Sequence, residues 1–135
     1  MKYRINRHSE IGLLKIELDK LFRQAILKER GERCQWCGKS GIVHVAHLLP
    51  KGKYPRLRYV KENVALLCYH CHLHKFHKNP LEAFVWVSEK FGEKHIDYLK
   101  HNIEPLIGKH TKLWLYGMIQ HYKNLLEGKE TEATQ

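Results

Sequence analysis

This sequence lacks long apolar runs and has few acidic side chains for its number of basic ones. No stretch is apolar over the roughly twenty residues that a bilayer-crossing helix requires, and no lipidation signal appears. The opening M-K-Y-R-I-N-R-H-S-E lacks the apolar centre of a signal peptide, so a chain that stays in a reducing cytosol, away from membranes, is expected. Internal repeats and low-complexity segments are also missing, which leaves one ordinary folded domain over 1–135 as the expectation. Acids number only 14 against 24 lysines and arginines, a formal charge of +10 with 11 histidines besides. Such an excess suits a polyanion, because neutralised phosphates release their condensed counterions; solubility alone is the competing explanation. Cysteine is scarce too. The four present form two C-x-x-C pairs, which in a reducing compartment favours metal over disulfides.

The patterning predicts a helix from Ser9, as its cap, to about Arg30, with Ile11, Leu14, Leu18, Leu21, Phe22, Ala25 and Ile26 on one face and Gly31 as its stop. Residues 34–41 form a knuckle. Ile42, Val43 and Val45 make a short strand that delivers His44 and His47, and Pro50 with Gly52 breaks it. A basic loop then carries Lys51, Lys53, Arg56, Arg58 and Lys61, before a second strand at 64–67 and a short helix from Tyr69 to about Lys78. Asn79, Pro80 and Glu82 start the next helix as N-cap, first-turn proline and capping-box carboxylate, with Leu81, Phe84, Val85 and Phe91 as its buried face. A helical piece around 95–100 and a turn at 104–108 follow. Thr111 caps a last helix striped with Leu115, Ile119, Tyr122 and Leu126, and a disordered tail is expected over 129–135.

Cys34, Cys37, Cys68 and Cys71 frame thirty intervening residues. Each pair can set two thiolates on one ion, and four close the tetrahedral shell of a structural Zn²⁺. Such an ion supplies folding free energy to a region rich in loops. A redox role for one pair is weaker, because two pairs occur and no βαβ pattern surrounds either. Inside the frame, or just past it, stand His44, His47, His70, His72, His74 and His77. A single histidine is usually a bystander, and His70, His74 and His77 are read so.

The order H-V-A-H…E-N-V-A-L-L-C-Y-H-C-H resembles the HNH endonuclease motif. That resemblance implies a small ββα-metal core over 34–79; with the N-terminal helix of 9–30 before it and the C-terminal helices over 80–128 after it, the chain is expected to be α+β and mostly helical. It implies His47 as general base, Asn63 as a brace for the loop, and His72 as ligand to a catalytic Mg²⁺ or Mn²⁺. The segments L-F-R-Q-A-I-L-K-E-R-G-E-R-C-Q-W-C-G, A-H-L-L-P-K-G-K-Y-P-R-L-R-Y-V-K-E-N-V and C-H-L-H-K-F-H-K-N-P are further similar to the NinG/Rap group of lambdoid phage recombination nucleases. This implies Holliday junctions or related branched DNA as substrate, and the cytoplasm of a bacterial host as location. One departure stands out. Ala46 occupies the place where many HNH enzymes carry a metal-binding Asp or His, and His44 is the nearest substitute. In an ideal strand His44 and His47 face opposite sides, so a bulge or the strand end would have to bring them together.

Mg²⁺ or a similar ion at His72 and His44 suits phosphodiester hydrolysis, and a neutral His47 can accept a proton from water. Lys51, Lys53, Arg56, Arg58 and Lys75 are the expected DNA contacts, and Tyr54 and Tyr59 are candidates for stacking on unpaired bases, with core packing favoured for Tyr59. Two cuts in a junction need two active sites, so a homodimer is expected, with Trp114, Tyr116 and Tyr122 as a candidate interface, although packing within the chain explains those residues as well. A restriction-like or homing HNH nuclease on duplex DNA, or a non-catalytic zinc module that binds nucleic acid, are the alternatives.

Overall fold

A computed structural model describes residues 9–102 and 110–128. Helix α1 spans Glu10–Arg30, strands β1 and β2 span His44–His47 and Val64–Leu67, and helices α2, α3 and α4 span Pro80–Phe91, Glu93–His101 and Lys112–Leu126. Short 3₁₀ turns at Pro55–Leu57 and Lys61–Asn63 and a π-helical segment at His70–Phe76 complete the described elements. The architecture is α+β and mostly helical, with one small antiparallel sheet and a four-cysteine cluster. No described helix is long and apolar enough to cross a membrane. The chain divides into two compact units, one formed by Met1–Glu29 with Ile107–Gln135, the other by Arg30–Leu106. The expected turn at 104–108 and the tail at 129–135 lie outside the described residues.

In the first unit the Ser9 hydroxyl accepts a hydrogen bond from the Gly12 N–H at 2.9 Å, the cap that the sequence predicts. Leu14, Leu18, Phe22, Ala25 and Ile26 are buried. Phe22 meets Tyr122 edge-on, with centroids 5.6 Å apart, so Tyr122 is part of this unit's core rather than a free interface residue. Thr111 Oγ1 accepts from the Trp114 N–H at 3.0 Å and caps α4. Glu10 joins the two helices by accepting from Lys112 Nζ at 2.7 Å and from the Tyr116 hydroxyl at 2.8 Å.

In the second unit α1 stops at Gly31, whose φ of 83° is open to glycine at no steric cost. The knuckle closes with Cys34 N–H on the Lys39 carbonyl at 2.9 Å and Gly38 N–H on the Cys34 carbonyl at 2.9 Å. Gln35 then pairs along β2: its N–H donates to the Leu66 carbonyl at 2.7 Å, and its Oε1 accepts the Leu66 N–H at 2.8 Å. Arg30 ties the same edge down, donating to the Val64 carbonyl at 2.7 Å, the Lys61 carbonyl at 2.8 Å and Gln35 Oε1 at 3.1 Å. β2 is buried throughout, as an apolar V-A-L-L run should be, and pairs with β1 in the register His44↔Leu67 to His47↔Val64.

Two local expectations fail around α2. Asn79 stands at the N-cap position and Pro80 in the first turn, but no side chain caps the helix. The buried residues are Ala83 and Val87, whereas Leu81, Phe84 and Val85 are exposed. The helix rests on a narrow line of small side chains, so its bulkier apolar face points outward. Trp86 lies flat on Trp36 of the knuckle, with centroids 4.6 Å apart and planes at 1°. This stack fixes α2 to the knuckle.

Candidate metal centre and active site

The four thiols of Cys34, Cys37, Cys68 and Cys71 all lie within 4.8 Å of one another. Cys37 Sγ and Cys68 Sγ are 3.8 Å apart. Zinc–sulfur bonds of about 2.3 Å at tetrahedral angles space sulfurs by close to that distance, so the donor set fits zinc. Burial pushes the Cys34 thiol up, yet hydrogen bonds from the backbone of Cys37, Cys68 and Trp36 outweigh it and hold the group down at about 6. Burial, followed by the neighbouring thiols of Cys68 and Cys34, pushes Cys71 in the opposite direction. Four thiols gathered this closely cannot all ionise against one another, and a divalent cation removes the conflict.

The ladder between β1 and β2 carries the next cluster. His44 projects from the start of β1 and His72 from the helical segment after β2, and their Nδ1 atoms are 2.9 Å apart. Two nitrogens bound at about 2.1 Å and at right angles on one cation stand about 3.0 Å apart, so the pair fits adjacent positions on a divalent ion. The other nitrogen of His72 lies 3.0 Å from His77 Nε2. With His77 as acceptor, His72 carries its proton on Nε2 and turns the Nδ1 lone pair toward His44. His72 is held down at about 4 by burial first, then by the charges that His77, His44 and His47 would carry. A histidine kept neutral to that extent is a ready metal ligand.

His77 was set aside in the sequence as a bystander. It reaches His72 because the segment is wound as a π-helix, in which His77 N–H bonds to the His72 carbonyl at 3.1 Å, five residues back. No bulge brings His44 and His47 together, since the β1–β2 register is continuous; the charges of both residues nevertheless act on His72. Ala46 is buried between them.

His47 Nε2 is 2.9 Å from the Arg58 carbonyl. A carbonyl only accepts, so Nε2 carries the proton and the lone pair of the neutral ring sits on Nδ1. The Arg58 carbonyl is held in place by the loop, and Asn63 organises the loop. Asn63 is fully buried; its Oδ1 accepts the Leu49 N–H at 2.9 Å, and its Nδ2 donates to the carbonyls of Leu49 at 3.0 Å and Leu57 at 3.2 Å.

Among the expected DNA contacts, Lys53 and Arg56 are exposed and Lys51 is half-buried. Lys75 is half-buried, with Nζ 5.2 Å from the centre of the Trp36 ring. Arg58 is a correction: it is 1% exposed, with its guanidinium over the Tyr59 ring at 5.3 Å, and so does not stand on the surface as a phosphate contact. Tyr59 is buried with it, and Lys53 lies over the Tyr54 ring at 5.6 Å.

Two C-x-x-C knuckles thus converge on one point beside a two-stranded sheet and a helical segment, with His44 and His72 meeting at their junction. Residues 34–78, about a third of the chain, match the model of the HNH endonuclease family. The match and the cysteine cluster fit an HNH zinc-binding nuclease, with DNA as the implied substrate. No curated protein and no solved structure matches the chain.

Proposed function

We propose that this protein is a metal-dependent DNA endonuclease that hydrolyses phosphodiester bonds in branched recombination intermediates, in the manner of the NinG/Rap group. The observation that carries the nuclease reading is the pairing of two Nδ1 atoms, of His44 and His72, beside a His47 whose tautomer is set by the Arg58 carbonyl. The branched substrate rests on the segment similarities alone, as does the cytoplasm of a bacterial host.

His44 and His72 would hold a catalytic Mg²⁺ or Mn²⁺ through Nδ1, with His77 orienting the His72 ring from the far side. Bound there, the ion would neutralise charge on the scissile phosphate and stabilise the departing oxygen. His47 Nδ1 takes the proton of the attacking water, while the Arg58 carbonyl keeps the ring from turning. Asn63 acts through the loop, keeping that carbonyl in place. Lys51, Lys53, Arg56 and Lys75 bind flanking phosphates. A dimer would supply a second site for the opposed strand.

The test is cleavage of a four-way junction and of its arms as plain duplex, by the parent and by His47→Ala, with Mg²⁺ or Mn²⁺ added. A general base contributes about 10²–10⁴-fold, so the variant should lose cleavage by that factor while retaining DNA binding. Undiminished cleavage removes His47 from the role. Equal rates on junction and duplex return the enzyme to the restriction-like class.

A further inference from the structure

We propose that Tyr69 is a base-stacking platform beside the cut, and that the preferred DNA therefore carries an unpaired nucleotide next to the scissile phosphate. The inference rests on the nuclease reading above and names the substrate class of the same site.

Tyr69 is 61% exposed and Ile42 is 86% exposed. Singly exposed apolar residues are common, but these two line one cleft of about 550 Å³ with Lys39 and Lys75. The cleft adjoins the metal-binding histidines. The Tyr69 ring meets His44 at 6.4 Å and 86°, and His44 meets His72 at 5.1 Å. Tyr69 also meets His74 at 5.8 Å and 64°, and His74 is stacked on His70 at 5.4 Å. Rings thus run in file from the active site along the surface. Both neighbours of Tyr69 stand steeply to it, so neither lies flat on its face.

Phe84 and Tyr98 are also exposed in this unit, but neither borders this cleft, and the aromatic residues nearer the knuckle are already covered. Trp36 is sandwiched between Trp86 and Lys75, and Tyr59 is buried. The charges around the cleft also select a base rather than a phosphate for its centre. Cys37, Cys68 and Cys71 border it, and four thiolates on one divalent ion leave a net negative charge there. Lys39 and Lys75 serve the phosphates on either side. A paired base cannot present its face to Tyr69, but one at a flap, bulge or branch point can.

The test uses the full zinc-loaded chain with two DNAs of identical arms, one continuous and one with a short flap whose first unpaired base is 2-aminopurine. Affinity and 2-aminopurine quenching are measured without added Mg²⁺. Stacking on an aromatic ring is worth a factor of about ten or more, so Tyr69→Ala should lower the ratio of flapped to continuous affinity about tenfold and abolish the quenching. Tyr69→Phe should keep both. A ratio unchanged in Tyr69→Ala, a parallel loss on both DNAs, or a Tyr69→Phe that behaves like Tyr69→Ala overturns the proposal. Cleavage by the parent with Mg²⁺ is scored separately. Cleavage with an unaltered ratio sinks the stacking role alone, whereas a lowered ratio with no cleavage of any DNA sinks the nuclease reading alone.

Discussion

Asn63 offers the sharpest handle on how the loop between the strands is held. Its side chain makes three hydrogen bonds to the main chain, two with Leu49 and one with Leu57, and none of it meets water. In Asn63→Ala those backbone groups lose their partners at once. At about 1 kcal/mol for each net bond, the loss is about 3 kcal/mol, a large share of the stability of an ordinary domain. Asn63→Asp separates the brace from simple size. A carboxylate accepts the Leu49 N–H as before, but it turns a negative oxygen toward two carbonyls where an amide donated. That variant should be at least as unstable as Asn63→Ala at pH 7. Because the carboxyl is neutral when it can donate, folding raises its pKa above the ordinary aspartate value near 3.9. Stability missing at pH 7 should therefore return as pH falls through the raised pKa. Urea unfolding followed by far-UV circular dichroism at pH 7 and pH 5, with zinc saturating, measures both effects relative to the parent. An Asn63→Asp protein as stable as the parent at pH 7, or one whose deficit is the same at both pH values, refutes the bonding described here.

Cys71→Ser should lose bound zinc and the fold of residues 30–106 with it, since structural zinc in small domains supplies about 10–16 kcal/mol; elemental analysis showing full zinc in a folded variant contradicts this. His72 stays neutral in the folded chain down to about 4, against an ordinary value of 6.5 in the unfolded one. The unfolded state therefore binds the extra proton first, and stability should decline as pH drops below about 6.5 and level off below about 4, with a shallower slope in His72→Asn. Arg30→Ala should cost about 2 kcal/mol in urea unfolding by releasing two carbonyls and Gln35, and Arg30→Lys should recover only part because an ammonium cannot span all three acceptors.

Much of this could be seen before any coordinates. Ser9 and Thr111 cap as their residue types suggest, the second strand falls on the V-A-L-L run, the first begins two residues later than Ile42 and Val43 suggest, and two C-x-x-C pairs converge on one point. What the pattern missed has physical causes. A π-helical turn shifts every later side chain relative to an α-helix, which is how His77 comes to His72. Arg58 sits in a run of basic residues, and only the folded loop shows that its charge is turned inward while its carbonyl holds His47. The face of α2 was misjudged because large side chains were expected to be buried, whereas the small Ala83 and Val87 pack. Tyr69 carried no signal beyond its place between a ligand cysteine and a histidine.

The flat pairing of Trp36 with Trp86 gives the molecule an optical property of its own. Trp36 stands between two thiols of the cluster, Cys34 and Cys37, and Trp86 belongs to α2, so the pair exists only while knuckle and helix are seated together. Two indoles 4.6 Å apart couple their electronic transitions. The resulting ultraviolet band is a label-free gauge of whether the cysteine frame and α2 are assembled, readable on the protein alone as zinc is added or removed.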